Sequence, residues 1–296
     1  MLKKRLCRTY ENAKRIKIDE DSKIILFSDC HRGDNSFSDE FAHNQNIYFY
    51  ALSYYFKNEF TYIELGDGDE LWEHKDFKYI RNAHSDIFEL LKDYHDEERL
   101  HMIYGNHNLQ FKYPWVVKRD LHSFFEEMKE EREPLFEGLK VQEAIILESE
   151  NQGEIFLIHG HQGDIFNDYL WFIARFLMRY FWKYAHIIGF RNPTSPAKNR
   201  SKRHKVEKRL SQWIVREKKI LIAGHTHRAK FPEVGEIPYF NDGCCVHPRA
   251  ITGIEIEHMM ISLVEWRIVP KDDGQLVVEK KVLKGPKELR QYWNSF

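Results

Sequence analysis

Residues 24–31 read Ile24-Ile25-Leu26-Phe27-Ser28-Asp29-Cys30-His31, an apolar run of strand character that stops on a carboxylate and an imidazole. The same arrangement returns four times. FTYIEL at 60–65 leads into Gly66-Asp67, and LHMIY at 100–104 leads into Gly105-Asn106-His107-Asn108. EIFLI at 154–158 leads into His159-Gly160-His161, and KKILIA at 218–223 into Gly224-His225-Thr226-His227. Short apolar runs bounded by polar and glycine-containing clusters read as strands. In an open α/β sheet the carboxyl ends of parallel strands converge on one crevice, so groups far apart in sequence meet there.

Between the first three runs the pattern predicts helices at about 39–57, 77–94 and 115–129. Strand and helix in alternation means a largely parallel sheet. Two neighbouring strands follow, VQEAIILE at 141–148 and EIFLI, separated by a turn at 149–153, which suggests a hairpin entering a second sheet. Beyond His227 the chain reads as short strands again: PYFN, ITGIEIE, MMISLVEW and QLVVEKKVL. Residues 166–190 interrupt the plan with dense aromatic and aliphatic side chains. Arg175, Arg179 and Lys183 recur there at four-residue spacing, along one helical face. A basic loop, RNPTSPAKNRSKRHK, comes next, and then a helix expected at 206–217.

A chain of 296 residues that is 42% apolar and 15% aromatic can bury a sizeable core. We read it as one domain, 1–296, with an aromatic and basic helical cap inserted at 164–218. The formal charge is −1, yet residues 164–219 hold fourteen lysines and arginines against four acids, a surplus of +10 that leaves −11 on the rest. That asymmetry points to a basic surface feature on an acidic body. The first residues, MLKKRLCRTY, carry basic groups with no apolar stretch behind them, and no run of about 18 uncharged apolar residues occurs. The expected location is cytoplasmic. Four cysteines without paired spacing argue against a disulfide framework or a zinc ribbon.

The chemistry lies in the clusters. Mixed carboxylate, amide-oxygen and imidazole donors suit divalent ions of the manganese or iron kind, and two ions held about 3.5–4 Å apart can bind the attacking and leaving oxygens of a displacement at phosphorus. A carboxylate is suited to bridge such a pair. Asp67 is the bridging candidate, because Gly66 before it lets the backbone come close to the ions.

The five clusters, in order over about residues 23–265, resemble the calcineurin-like metallophosphoesterase pattern D-x-H, G-D, G-N-H-[DE], H and G-H-x-H. The resemblance implies a sandwich of two mixed β-sheets flanked by helices and two divalent ions per chain, manganese first, with iron or zinc as alternatives. It also implies one ion on Asp29, His31, Asp67 and His227, and the other on Asp67, Asn106, His159 and His225. His107 falls where many members place a general acid or a phosphate-binding imidazole. Asn108 stands where many protein phosphatases have an acid that orients that histidine, which predicts a weaker acid or a mainly phosphate-holding role for His107. Arg32 is a candidate for a phosphate oxygen, and His161 for a substrate-facing or supporting role beside His159.

Two segments resemble bacterial UDP-2,3-diacylglucosamine pyrophosphatases more narrowly. GDGDELWE at 66–73 is similar to their G-D-x-x-E-x-W, and the insertion between His159 and His225 is similar to their helical lid. The chain departs from that group at HGHQGD, where H-G-D is usual, and at His107, where arginine is typical. The leading expectation is therefore hydrolysis of a lipid-linked or nucleotide-linked pyrophosphate or phosphoester. The alternative is a soluble phosphatase or phosphodiesterase acting on a phosphoprotein, nucleotide or small phosphate ester, and a non-catalytic scaffold ranks third. Arg175, Arg179 and Lys183 are the cap's candidate substrate contacts, through which the protein would touch the inner face of a membrane peripherally. No nucleic-acid motif is present, so a nucleic-acid partner is not expected, and the sequence leaves the oligomeric state open.

Overall fold

The computed structural model describes residues 2–126, 129–150, 153–163 and 200–295. A six-stranded sheet is built from β2 (Lys23–Phe27), β3 (Thr61–Leu65), β4 (Leu100–Ile103), β11 (Ala250–Glu257), β12 (Met260–Pro270) and β13 (Leu276–Glu288), in the order β13-β12-β11-β2-β3-β4. A five-stranded sheet runs β1-β7-β8-β9-β10, from β1 (Lys14–Ile18), β7 (Ala144–Ser149), β8 (Gly153–Ile158), β9 (Ile220–Ala223) and β10 (Tyr239–Asn241). Both sheets are mixed. The strands β2, β3 and β4 pair in parallel, as do β8, β9 and β10, whereas β7 and β8 form the expected antiparallel hairpin.

The apolar runs are continuous because these strands are covered on both faces. Ile24, Leu26, Ile63, Leu65 and Ile103 turn inward to meet Ile145, Leu147, Ile155, Leu157, Ile220 and Ile222 of the other sheet. The alternate residues face outward. Ile25, Phe27, Tyr62 and Met102 pack under helices α2 (Gln45–Lys57), α3 (Phe77–Ala83), α4 (Ser85–Asp96) and α5 (Pro114–Leu121). On the far side, Ile146, Phe156, Ile158 and Leu221 pack under α1 (Leu2–Glu11) and α6 (Arg200–Glu217). The result is helices on both outer faces of two mixed sheets, the expected fold class. Each buried Ile or Leu contributes roughly 1.5–3 kcal/mol by leaving water.

Several expected elements are revised by local chemistry. The helix expected from residue 39 begins at Gln45, because the Asp39 carboxylate accepts the backbone N–H groups of Asn35, Phe41 and Ala42 and holds a turn there. The helix expected over 77–94 is two helices that break at His84, whose buried ring bonds to Asp39 Oδ2 at 3.0 Å. The helix expected over 115–129 ends at Leu121. Phe124 and Phe125 would continue its apolar stripe of Val116, Val117 and Leu121 at helical spacing, but they pair in a ribbon. The chain turns instead into a small antiparallel ribbon, β5 (Ser123–Glu126) with β6 (Glu131–Pro134). The sequence reading also passed over α1, β1 and the short α7 (Leu289–Trp293).

Arg175, Arg179 and Lys183 lie outside the described residues. The last part of the segment read as a cap is α6, whose Val206, Leu210, Trp213 and Ile214 lie at helical spacing and are buried against the five-stranded sheet. Among the described residues, no helix is long and apolar enough to cross a membrane, and the four cysteines are free.

Candidate metal centre

All five clusters follow the carboxyl ends of parallel strands. The sheet hydrogen bonding continues into them: Asp29 N–H donates to Gly66 O (3.0 Å), His31 N–H to Asp67 O (2.9 Å) and Gly224 N–H to His159 O (2.9 Å). Asp29, His31, Asp67, His225 and His227 all adopt positive φ, between 50° and 67°. For residues with a Cβ this costs on the order of 1–2 kcal/mol each, a strain that collects at functional sites. Close approach is enforced by glycine. A Cβ on Gly66 would fall 2.6 Å from the His159 ring, and one on Gly105 would fall 2.0 Å from Asp67 Oδ1.

These loops bring three groups of candidate ligand atoms together. Asp29, His31 and His227 form one, Asp67, His159 and His225 a second, and His31, Glu70 and His107 a third that shares His31 with the first; the first two are referred to as the ligand groups. In the first, Asp29 Oδ1 lies 3.0 Å from His227 Nε2 and 3.7 Å from His31 Nε2, and the two imidazole nitrogens are 3.3 Å apart. In the second, Asp67 Oδ2 lies 3.1 Å from His159 Nε2. The same Oδ2 is 4.0 Å from His31 Nε2, so Asp67 reaches both groups.

Each carboxylate is anchored through one oxygen and offers the other. Asp29 Oδ2 accepts the His225 backbone N–H (2.7 Å) and meets Ser28 Oγ (2.6 Å), while Asp67 Oδ1 accepts the His107 N–H (2.8 Å). His159 donates from Nδ1 to the Leu65 carbonyl (3.1 Å), which turns Nε2 into the cluster. Ser28 Oγ is also 2.7 Å from Asp242 Oδ1. One hydroxyl proton can serve only one carboxylate. Burial and the Asp29 charge push the Asp242 carboxyl well above its usual range, which favours its protonated form in this pair.

Burial opposes ionisation of Asp67, yet the facing His159 and His107 imidazoles outweigh it and hold its carboxyl below the usual range. Burial alone would lower the pKa of His227, but the Asp29 carboxylate outweighs it and raises the imidazole to about 10. Carboxylates and imidazoles packed this closely are satisfied by protons or by cations. The donor set fits divalent ions on a second count: Asn106 Oδ1 is buried with no hydrogen-bond partner, a costly arrangement unless a ligand completes it.

The remaining candidates fare differently. Arg32 is fully buried and tied to Glu64 (2.7 Å) and Asp69 (2.9 Å), so the expected contact with a phosphate oxygen is corrected: its guanidinium holds the loop from beneath. His161 is fully buried, with its ring 5.6 Å from that of His159. Burial, then the neighbouring His159 and His225, keep its pKa well below the ordinary value, so it is neutral.

Asn108 turns its side chain away to accept the Gly105 N–H at 2.6 Å. The carboxylate beside His107 is Glu70, whose two oxygens lie 2.7 and 2.8 Å from His107 Nδ1. Trp72, 5% exposed, stacks on the same ring with centroids 4.0 Å apart. Glu70 lies within GDGDELWE, and its place beside His107 emerges only in the structure. Its position three residues after Asp67 was the available signal.

No family model matches the chain, and no curated protein does. Among solved structures, Vps29 of Chaetomium thermophilum matches over 90% of this chain and 97% of its own, at 8% identity and a TM-score of 0.39. A putative 5'-nucleotidase from Staphylococcus aureus, in complex with alpha-ketoglutarate, matches over 88% of this chain and 53% of its own, at 12% identity and a TM-score of 0.35. Likenesses this loose carry no argument about activity.

Proposed function

We propose that this protein is a calcineurin-like metallophosphoesterase that hydrolyses phosphoester or pyrophosphate bonds with two divalent ions. The observation that carries the reading is Asp67, whose Oδ2 stands between a sealed ligand group at 3.1 Å and a more open one at 4.0 Å. Asp29, His31 and His227 would hold one ion and Asn106, His159 and His225 the other, with Asp67 shared. Manganese is proposed first on the mixed oxygen and nitrogen donor set. When bound, the ions supply Lewis acidity toward phosphoryl oxygens and a water acidified for attack. Asp67 fixes the spacing of the two groups, and His107, at the rim, donates a proton to the leaving oxygen or holds a phosphoryl oxygen.

The test is elemental analysis of the folded protein, followed by turnover of the manganese-loaded chain on UDP-diacylglucosamine, cyclic and linear nucleotides, and aryl mono- and diesters. Two ions per chain and turnover of at least one ester class are expected. No bound metal and no turnover would overturn the reading and favour the scaffold.

The narrower substrate reading, a lipid-linked or nucleotide-linked pyrophosphate at a membrane surface, draws on the likeness of GDGDELWE and on the basic segment. Trp72 contributes less to it than the motif suggested, because its ring is committed to His107. A soluble phosphatase or phosphodiesterase is the competing reading. Replacing Arg175, Arg179 and Lys183 with Gln separates them: at about 1 kcal/mol per cation, anionic vesicle binding should weaken about a hundredfold at low salt. Unchanged co-sedimentation and an undiminished rate on the lipid substrate would leave the soluble reading in place.

A further inference from the structure

Asp242 directly follows β10, belongs to neither ligand group, and is one hydroxyl away from a ligand. Ser28 Oγ lies 2.6 Å from Asp29 Oδ2 and 2.7 Å from Asp242 Oδ1. Three oxygens in a row at these distances need two hydrogens between them, and the Ser28 hydroxyl supplies one. The other does not belong on Asp29. Its Oδ2 already accepts the His225 N–H at 2.7 Å, and its Oδ1 faces His227 Nε2 at 3.0 Å and His31 Nε2 at 3.7 Å. That leaves Asp242 Oδ1 as the donor, Ser28 as the relay and Asp29 Oδ2 as the final acceptor. The surroundings agree. Asp242 is fully buried, and its Oδ2 has no hydrogen-bond partner among the described residues. A bare carbonyl oxygen of a neutral acid costs far less in the interior than a bare carboxylate oxygen. The ionisable groups around it include the Asp29 carboxylate and the thiols of Cys244 and Cys245, none of which neutralises a negative charge. Its own N–H donates to Ala223 O at 3.1 Å, which fixes Asp242 beside the loop at 224–227.

We propose that Asp242 is a positioning residue of the metal centre, working as a neutral acid that turns the Ser28 hydroxyl onto Asp29. With the His225 N–H and the Ser28 hydroxyl both on Oδ2, Asp29 meets an ion through Oδ1 alone. The proton has a second consequence. An ionised Asp242 would set a further negative charge behind a ligand and offset part of the charge that bound ions present to a phosphoryl oxygen. Asp242 therefore holds Asp29 in place without adding to the negative charge of the centre. The metal readout rests on the proposed two-ion centre, whereas the protonation of Asp242 does not.

The test uses the full chain as wild type, Asp242→Asn, Asp242→Ala, Ser28→Ala and the Asp242→Ala/Ser28→Ala double variant. Infrared difference spectra of metal-free wild type against Asp242→Asn should show the carbonyl stretch of one protonated carboxylic acid. Ser28→Ala should move that stretch to higher frequency, because the acid loses its acceptor. Carboxylate bands in its place, or a stretch that Ser28→Ala leaves unmoved, would overturn the proposal. Calorimetric titration of manganese into metal-free protein reads the positioning. Asp242→Asn should bind within about threefold of wild type, its amide N–H replacing the acid O–H, while Asp242→Ala should weaken one of two equivalents about 10–100-fold. In the Ser28→Ala background Asp242→Ala should cost nothing further, since both act through one hydroxyl. Additive losses, equal weakening in Asp242→Asn and Asp242→Ala, or wild-type affinity in Asp242→Ala each break the inference. If wild type binds no manganese, the proposed function fails, while the infrared spectra still decide whether Asp242 carries the proton. If Asp242→Ala does not fold, Asp242→Asn and Ser28→Ala carry both measurements.

Discussion

The two ligand groups are built from the same residue types but sit in different surroundings. Asp67, His159 and His225 are 1%, 0% and 4% exposed, whereas the His227 side chain of the first group is 21% exposed, and His107 stands beside that group at 16%. Both groups take their ligands from strand ends of both sheets. The open group borders the rim where Glu70, Trp72 and His107 are packed. Similar ligands in unequal burial teach that one group is closed off inside the junction of the two sheets while the other opens toward solvent at His227.

The largest test of that division is Asp67→Ala, which removes the carboxylate whose Oδ2 lies 3.1 Å from His159 and 4.0 Å from His31. Elemental analysis should show both ions depleted, and turnover should fall on the order of 10⁴-fold or more, as for other groups whose loss disables a whole catalytic unit. A variant that keeps two ions and full activity would erase the junction on which the comparison rests.

His107→Ala tests the rim without touching either ligand group. Metal content should stay intact while turnover drops about 10²–10⁴-fold, the range of general acid catalysis. The loss should shrink for p-nitrophenyl esters, whose leaving group needs little protonation. Equal losses on p-nitrophenyl and alkyl esters would assign His107 to holding phosphate.

Metal removal sharpens the contrast directly. A chelator should strip one ion quickly and the second slowly, and His227→Ala should weaken only the faster one, by at least about tenfold. Time-resolved elemental analysis reads both ions. Equal release rates would show that the difference in burial does not govern exchange.

The smallest effect is on the stability of the metal-free protein. His227 is raised to about 10 in the fold, so its contribution is full below the unfolded value near 6.5 and is lost as pH climbs toward 10. Asp67 is depressed, so its contribution is full above the unfolded carboxylate range and is lost as pH falls. The metal-free melting temperature should therefore decline by several degrees from pH 6.5 to 10, and manganese should reverse the decline because metal replaces the proton at His227. A flat profile in that window would remove His227 from the charge balance of the open group.

Much of this molecule could be read from local pattern. Five apolar runs ending on polar clusters gave the strands, because a strand covered on both faces is apolar throughout, and the carboxyl-end rule brought the clusters to one edge. Helix limits were harder. Asp39 and His84 look like ordinary helix residues until their mutual hydrogen bond, across 45 residues of sequence, is seen, and α5 ends where Phe124 and Phe125 enter the ribbon with β6.

By itself the sequence determined which residues could serve as ligands, since residue type and order survive any arrangement of the chain. Only the tertiary structure decided how they are shared. Asp67 spans two groups and Glu70 serves two rings because β3 ends between β2 and β4, which places the 66–73 loop against His31 on one side and His107 on the other. Arg32 went the other way. It follows His31 and reads as a phosphate contact, but Glu64 and Asp69 lie close enough to neutralise it in the interior, and a buried guanidinium with two carboxylate partners has no reason to leave them.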